Sequence, residues 1–341
     1  MKSSVFYSKQ KQLVENSEMP KCGVEEVLIN VKACGICGTD VHIYEGNPGS
    51  ADVTGPIILG HEFSGIITEI GANVKNFKVG DRVCVDPNWY CGGCTPCRDG
   101  DVHFCENMES YGVTLNGGFA EYCAVNEKVV YKLGENTNYE QGAMVEPLAC
   151  CVHGIDMCNI SVGKKVVVIG GGMIGLLMVQ LAKLEGASKV ALLEPVDVKR
   201  DMGIKMGADI AIDPINQDVK AVLKEQGFDN VNVVIECVGR TQTIEQAIDI
   251  VGYKGIVMMF GLTGPDDTIA VKPFTVFKKE IEIKSSFINP CTHKRAIDLI
   301  DNGRIDVLSM IYSVEGLDKL VDIVSTPALR ANGKYLIDPS K

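Results

Sequence analysis

The chain has 341 residues, 46% of them hydrophobic and 23% charged, with a formal net charge of −11. That length suits about two domains, and the composition is that of a globular protein, not of a disordered tract. The negative balance disfavours a nucleic-acid or anionic-membrane partner. Met1-Lys2-Ser3-Ser4-Val5 opens no long apolar core and no cleavage pattern, so no signal peptide is expected. The longest apolar stretch, 166–182, is broken by Gly170, Gly171, Gly172 and Gly175 and does not read as a membrane span. Fourteen cysteines without an export signal then read as reduced thiols and metal ligands of a cytoplasmic protein.

Up to about residue 154 the chain is rich in Gly, Pro, Cys and short β-type runs, such as 27–31 and 63–70. This predicts a compact β-rich domain. Within it lie Cys34-Gly35-Ile36-Cys37-Gly38-Thr39-Asp40-Val41-His42, then Gly60-His61-Glu62, and later Glu146-Pro147. Cys, His and Glu all bind zinc, and three protein ligands with one open position is the catalytic form. Zinc there lowers the pKa of an alcohol and favours loss of its hydride to a nicotinamide. Thr39 is the candidate to pass the hydroxyl proton outward. His42 is the candidate to receive it, because imidazole titrates near neutrality. Plainer readings stay open. Cys34 and Cys37 form a C-x-x-C that a thiol redox protein would use. His61 would serve as a satisfied core histidine, and Glu146 as a carboxylate at a helix start.

Next comes Cys91-Gly92-Gly93-Cys94-Thr95-Pro96-Cys97, followed by Cys105. Four thiolates at this C-x2-C-x2-C-x7-C spacing can converge on one tetrahedral zinc through bonds of about 2.3 Å. The glycines and the proline let the backbone turn sharply enough. Such a closed site staples a loop and performs no chemistry. Disulfides or an iron–sulfur cluster are the alternatives.

From about residue 155 the pattern alternates. Strands are predicted over 166–169, 190–193, 231–235 and 256–260, with helices over 173–184, 197–206 and 241–251. This is an α/β pattern, a parallel sheet covered on both faces. Gly170-Gly171-Gly172-Met173-Ile174-Gly175 is a G-x-G-x-x-G that follows a strand and opens a helix. Its glycines let the backbone approach a pyrophosphate seated on the helix N-terminus. Glu194 ends the next strand run, where an acid accepts from the adenosine ribose hydroxyls and repels a 2′-phosphate, favouring NAD over NADP. Lys199 and Arg200 weaken that preference. The tail from about 291 is predicted to hold one helix and a strand over 334–337 that rejoins the first domain.

Taken in order, C-G-I-C-G-T-D-V-H at 34–42, G-H-E at 60–62, G-D-R-V at 80–83, the four-cysteine lobe, G-G-F-A-E-Y at 117–122, E-P-L-A at 146–149 and G-G-G-M-I-G at 170–175 resemble the zinc-dependent medium-chain dehydrogenases of the sorbitol (polyol), butanediol and threonine dehydrogenase branch. The resemblance spans essentially the whole chain. It implies a GroES-like catalytic domain over 1–154 and 289–341, with a zinc lobe at about 88–108, and a Rossmann NAD-binding domain over 155–288. It implies two zinc ions per chain: a catalytic one on Cys37 and His61 with Glu62 and Glu146, and a structural one on Cys91, Cys94, Cys97 and Cys105. Cys34 is then a neighbour of the catalytic ion. Which of Glu62 and Glu146 binds directly is left open. Val238-Gly239 and Phe260-Gly261-Leu262 end strands where the cofactor lies, and Ser285-Ser286-Phe287 approach the nicotinamide. Tyr44 and Glu45 read as ordinary loop residues or as pocket lining. Cys22, Cys84, Cys123, Cys150, Cys151, Cys158, Cys237 and Cys291 read as unliganded thiols.

The expected activity is oxidation of a secondary alcohol of a polyol or diol to a ketone, with NAD, by a homodimer or homotetramer. L-Threonine 3-dehydrogenase is the competitor within the family, though no dedicated pair for an amino acid's carboxylate and ammonium stands out. A thiol redox protein using Cys34 and Cys37 leaves His61, Glu62 and the glycine motif unexplained. The intact ligand set argues against a zinc-free NADPH reductase, and Glu194 with the glycine turn argues against a non-catalytic zinc scaffold.

Overall fold

Runs of apolar residues cut by glycine and proline become strands wherever one face can be buried. In the computed structural model, which describes residues 1–49 and 51–341, they build a unit from Met1–Ala149 and Pro290–Lys341. Its main sheet runs, in spatial order, Val130–Lys132, Arg82–Val85, Glu62–Ile70, Glu26–Gly35, Lys334–Ile337, Ile311–Glu315, and Tyr122–Asn126 also pairs with Glu26–Gly35. Val27, Ile29 and Val31 alternate along one strand and pack with Phe63, Ile67 and Phe119, all essentially without exposed surface. A second sheet orders Lys11–Asn16, Lys2–Ser8 and Ile57–Ile58.

The antiparallel register sets Gly35 opposite Glu62 and Cys34 opposite Phe63. On the other side it sets Leu336 opposite Gly35. The late strand Lys334–Ile337 therefore enters the middle of the first sheet. One expectation needs correcting. The tail holds three helices, His293–Asp301, Leu317–Ser325 and Pro327–Arg330, not one. Leu317–Ser325 buries Leu317, Leu320, Ile323 and Val324 on nine residues, too few turns for a period to stand out in the sequence.

The second unit, Cys150–Asn289, holds six parallel strands. Their spatial order is Ile210–Ile212, Lys189–Leu193, Lys165–Ile169, Val233–Glu236, Ile256–Met259, Glu282–Ser285. In chain order this is 3-2-1-4-5-6, the doubly wound arrangement, with its switch point between the first and fourth strands. Val166, Val167 and Val168 have no exposed surface, because helices cover both sheet faces and every side chain faces a core. Two strands escaped the sequence pattern: Ile210–Ile212 is only three residues long, and Glu282–Ser285 is an exposed edge whose residues need not be apolar. Among the described residues, no helix is long and apolar enough to cross a membrane.

Candidate metal centres and cofactor site

Cys37 ends the turn that leaves strand Glu26–Gly35 and stands at the N-cap of helix Gly38–Tyr44. Its N–H donates to Asp40 Oδ2 at 2.8 Å, which fixes the thiol at the start of the helix. His61 and Glu62 lie at the start of the neighbouring strand. One ligand atom from each of Cys37, His61 and Glu62 lies within 4.8 Å of the other two. Glu62 is fully buried, and Lys334 Nζ donates to its Oε2 and, at 2.9 Å, to the Ile36 carbonyl. Asp40 Oδ1 stands 3.6 Å from His61 Nδ1. Glu146, in the first turn of helix Val145–Met157, is buried, and its charge reaches His61. It does not join the mutual group of three.

The electrostatics ask for a cation. Burial works to keep His61 neutral, yet Asp40, Cys37 and Glu146 override it and carry its pKa well up. Burial also works against a charged Lys334, and Glu62 and Cys37 outweigh it, so the ammonium is held firmly. Asp40 Oδ1, His61 Nδ1 and Glu62 Oε1 are buried without a hydrogen-bond partner. The first two face each other at 3.6 Å, and a buried carboxylate oxygen such as Glu62 Oε1 is costly unless a ligand satisfies it. A thiol, an imidazole and a carboxylate are a zinc donor set, and a carboxylate behind the histidine is the usual support of such a ligand. The residues fit zinc.

Thr39 lies two residues beyond the thiol, with Oγ1 3.7 Å from Cys37 Sγ. Thr39 and His42 are three apart on one short helix, hence on one face, and both are half-buried. Tyr44 ends that helix packed on the core, and Glu45 is exposed. Cys34 has no exposed surface, and its burial among apolar groups pushes its thiol pKa well up. That is the reverse of the depressed pKa a redox dithiol requires.

The four-cysteine lobe is equally clear. Its ligand atoms all lie within 4.8 Å of one another. Cys94–Cys105 and Cys91–Cys105 sulfur separations are 3.8 and 3.6 Å. Disulfide sulfurs stand about 2.05 Å apart, whereas the edge of a tetrahedron around zinc with 2.3 Å bonds is about 3.8 Å. N–H groups of Gly93 and Cys94 donate to Cys91 Sγ, and those of Cys91 and Asn107 to Cys105 Sγ, all at 3.4 Å. These bonds favour thiolate, and the first two draw the Cys91 thiol down to about 6.

In the second unit the glycine turn is built for close approach. Gly170 has φ of +103°. A Cβ on Gly175 would stand 1.8 Å from the Gly170 carbonyl oxygen, while one on Gly172 would meet nothing within 4 Å. Gly172 is the N-cap of helix Met173–Leu184, and no side chain caps that end. Met173 and Ile174 form its first turn. The open cradle over an uncapped helix N-terminus fits a pyrophosphate. Glu194 is buried, its two carboxylate oxygens accepting from Gly171 N–H at 2.7 Å and Val196 N–H at 2.9 Å. Arg200 bonds the Glu194 carbonyl at 2.7 Å and pairs with Asp197 and Asp213. Lys199 is half-exposed.

The turns after the fourth and fifth strands close against the glycine turn. A Cβ on Gly170 would lie 2.8 Å from Val238 Cγ2, and one on Gly239 2.3 Å from the Leu262 carbonyl oxygen. Val238 and Leu262 are exposed, with Phe260 and Gly261 between the fifth strand and Leu262. Ser285, at the end of the outermost strand, pairs with Met259 just before the 260–262 turn, and Ser286 and Phe287 follow it. Ser286 Oγ is buried there without a partner.

Two residues of these sites escaped the sequence reading: Asp40 and Lys334. Asp40 stood inside a quoted motif. Nothing in the sequence marks Lys334, 272 residues from its partner Glu62.

Among known proteins, residues 23–135 match the family described as alcohol dehydrogenase GroES-like domain, and residues 173–302 that described as zinc-binding dehydrogenase. The chain is 34% identical over 343 residues to D-arabinitol dehydrogenase 1 of Uromyces fabae, covering 99% of this chain and 97% of that protein. It is 38% identical over 275 residues to an L-threonine 3-dehydrogenase of Caldanaerobacter subterraneus subsp. tengcongensis, covering 80% and 79%. A solved structure from Sinorhizobium meliloti 1021, described as a zinc-binding dehydrogenase and bound to NADP, has a TM-score of 0.94 at 38% identity over 99% of both chains.

Proposed function

This chain belongs to the zinc-dependent medium-chain dehydrogenases, and on that premise we propose that it oxidises a secondary alcohol of a polyol or diol to the ketone, reversibly, with NAD. The observation that carries the reading is the group of Cys37, His61 and Glu62, whose ligand atoms lie within 4.8 Å of one another, with Glu62 Oε1 buried and unpartnered. Cys37 and His61 would hold a zinc ion, with Glu62 or Glu146 as the carboxylate ligand, and the ion with a bound dinucleotide would supply Lewis-acid activation of the alcohol and a hydride acceptor. Glu62 is the carboxylate that stands in mutual reach of Cys37 and His61, and Lys334 donates to its other oxygen. Asp40 orients His61. Thr39 takes the alcohol proton and His42 passes it to solvent, the two standing on one helix face.

A second zinc on Cys91, Cys94, Cys97 and Cys105 orders the lobe. NAD is the favoured dinucleotide because the buried Glu194 carboxylate ends the second strand beside the glycine turn, where it would accept from ribose hydroxyls and repel a 2′-phosphate. The bare edge strand Glu282–Ser285, with Ile283 exposed and Phe274 and Phe277 at 71% and 79% exposure in the preceding helix, supports self-association as a homodimer or homotetramer. All fourteen cysteines being unbridged supports a reducing, cytoplasmic setting.

L-Threonine oxidation is the second reading, favoured by the 38% identity to an L-threonine 3-dehydrogenase. A panel of polyols, diols and L-threonine with NAD⁺ or NADP⁺, followed by absorbance of the reduced nicotinamide, separates the two. Turnover of secondary diols or polyols with NAD⁺ is expected. Turnover of L-threonine alone moves the chain to the second reading.

A further inference from the structure

Glu236 is the last residue of the fourth strand, opposite Ile169 on the first, so it lies at the switch point of the sheet. It has no exposed surface. A buried carboxylate needs several donors, and its Oε1 has three: Val238 N–H at 2.8 Å, Gly239 N–H at 3.1 Å and Thr243 Oγ1 at 2.8 Å. Its own carbonyl accepts from Phe260 and Gly261 N–H, each at 2.9 Å. A Cβ on Gly261 would stand 2.9 Å from its Oε2. One residue therefore fixes both turns, 238–239 after the fourth strand and 260–262 after the fifth.

The two halves of a doubly wound sheet each serve one mononucleotide. Here the adenosine half is placed by Glu194 on the second strand and the glycine turn on the first. The other half of a dinucleotide then lies over the fourth and fifth strands, on the turns Glu236 organises. We propose that Glu236 is a positioning residue for the nicotinamide half of the cofactor. It touches no ligand itself. It aims Val238 and the Gly239 and Leu262 backbone at the nicotinamide riboside, and it contributes nothing to the adenosine half. The inference rests on the reading that this sheet holds a nicotinamide dinucleotide.

The test compares two probes, NADH and ADP-ribose, by titration against the zinc-loaded protein, wild type and Glu236→Gln. The glutamine keeps the size and one acceptor oxygen but loses the charge that strengthens its bonds. NADH binding should weaken about tenfold, the scale of one lost charge-assisted hydrogen bond. ADP-ribose binding should stay within about twofold, with zinc content unchanged. Equal weakening of both probes would show a general structural role and overturn the proposal, as would no change in either. Thr243→Val removes one donor and leaves the carboxylate in place. It should shift NADH binding the same way by a smaller factor, and it decides the matter if the glutamine variant does not fold. A wild-type protein that binds neither probe overturns the dinucleotide reading itself, whereas wild-type NADH binding unaffected by either substitution overturns only the role of Glu236.

Discussion

A thiol serves as a zinc ligand only where its anion is tolerated. Cys37 stands beside His61 at a helix N-terminus, and Cys34, three residues earlier, is sealed in the core. Cys37→Ser should therefore strip zinc and nearly abolish turnover, whereas Cys34→Ala should keep zinc and most activity. Metal analysis with kcat measurement checks this, and equal losses would restore the thiol redox reading. Glu194 gives a second contrast. Glu194→Gln removes the charge that repels a 2′-phosphate, so the ratio of kcat/KM for NAD⁺ over NADP⁺ should fall severalfold. A wild-type preference for NADP⁺, the dinucleotide bound in the Sinorhizobium structure, would mean that Lys199 or Arg200 dominates instead. Residues whose chemistry is rare and whose spacing is short were legible: Cys91, Cys94 and Cys97 announce themselves within seven positions. Lys334 was not, because an isolated lysine looks like any solvated charge until the fold buries it.

The element that builds the cluster of Cys37, His61 and Glu62 is a strand pair. Gly35 faces Glu62 across the ladder, and a Cβ on Gly35 would stand 2.0 Å from Glu62 Oε2 and 3.0 Å from Lys334 Cε. Gly35→Ala should push the Glu62–Lys334 pair aside, lower the thermal midpoint by the equivalent of about 1–3 kcal/mol and weaken zinc retention. Gly172→Ala makes the opposite split. Its Cβ would meet nothing within 4 Å, so stability should hold while NADH affinity drops, because the methyl group fills the cradle. Thermal melts paired with zinc and NADH titrations read both. At this scale the strands buried on both faces were plain in the sequence, because nothing but apolar residues fits them. Ile210–Ile212 and Glu282–Ser285 were not, one for its length and the other for its exposed edge. The helices of the tail were hidden for the first of those reasons.

For the whole molecule, the two metal centres should differ in lability. Four cysteine ligands would close the coordination sphere of a zinc bound on the lobe, whose short helix Thr95–Asp99 buries no side chain. Such an ion would tether a lobe with little core of its own. A zinc on Cys37, His61 and one carboxylate would keep an open position. Mild chelation should abolish activity before it changes the circular dichroism signal, with one zinc lost and one retained. Fully metallated protein with fewer than two zinc ions per chain would contradict this. The alternation of strands and helices after residue 155 revealed the second unit at once. The first unit's dependence on a strand from the far end of the chain was only partly legible, because pairing over such separations leaves no local pattern.

That dependence has a consequence for biosynthesis. Strand Lys334–Ile337 lies between Glu26–Gly35 and Ile311–Glu315, and Lys334 neutralises Glu62 at the catalytic cluster. The ribosome delivers Glu62 long before Lys334. At roughly 5–20 residues per second, the 272 residues between them take on the order of tens of seconds to emerge. Cys150–Asn289, a continuous segment, has all its strands in hand during that interval. The nascent catalytic unit has a gap in its central sheet and a carboxylate lacking its cation. The second unit is therefore expected to complete its sheet before the first can pair Glu62 with Lys334.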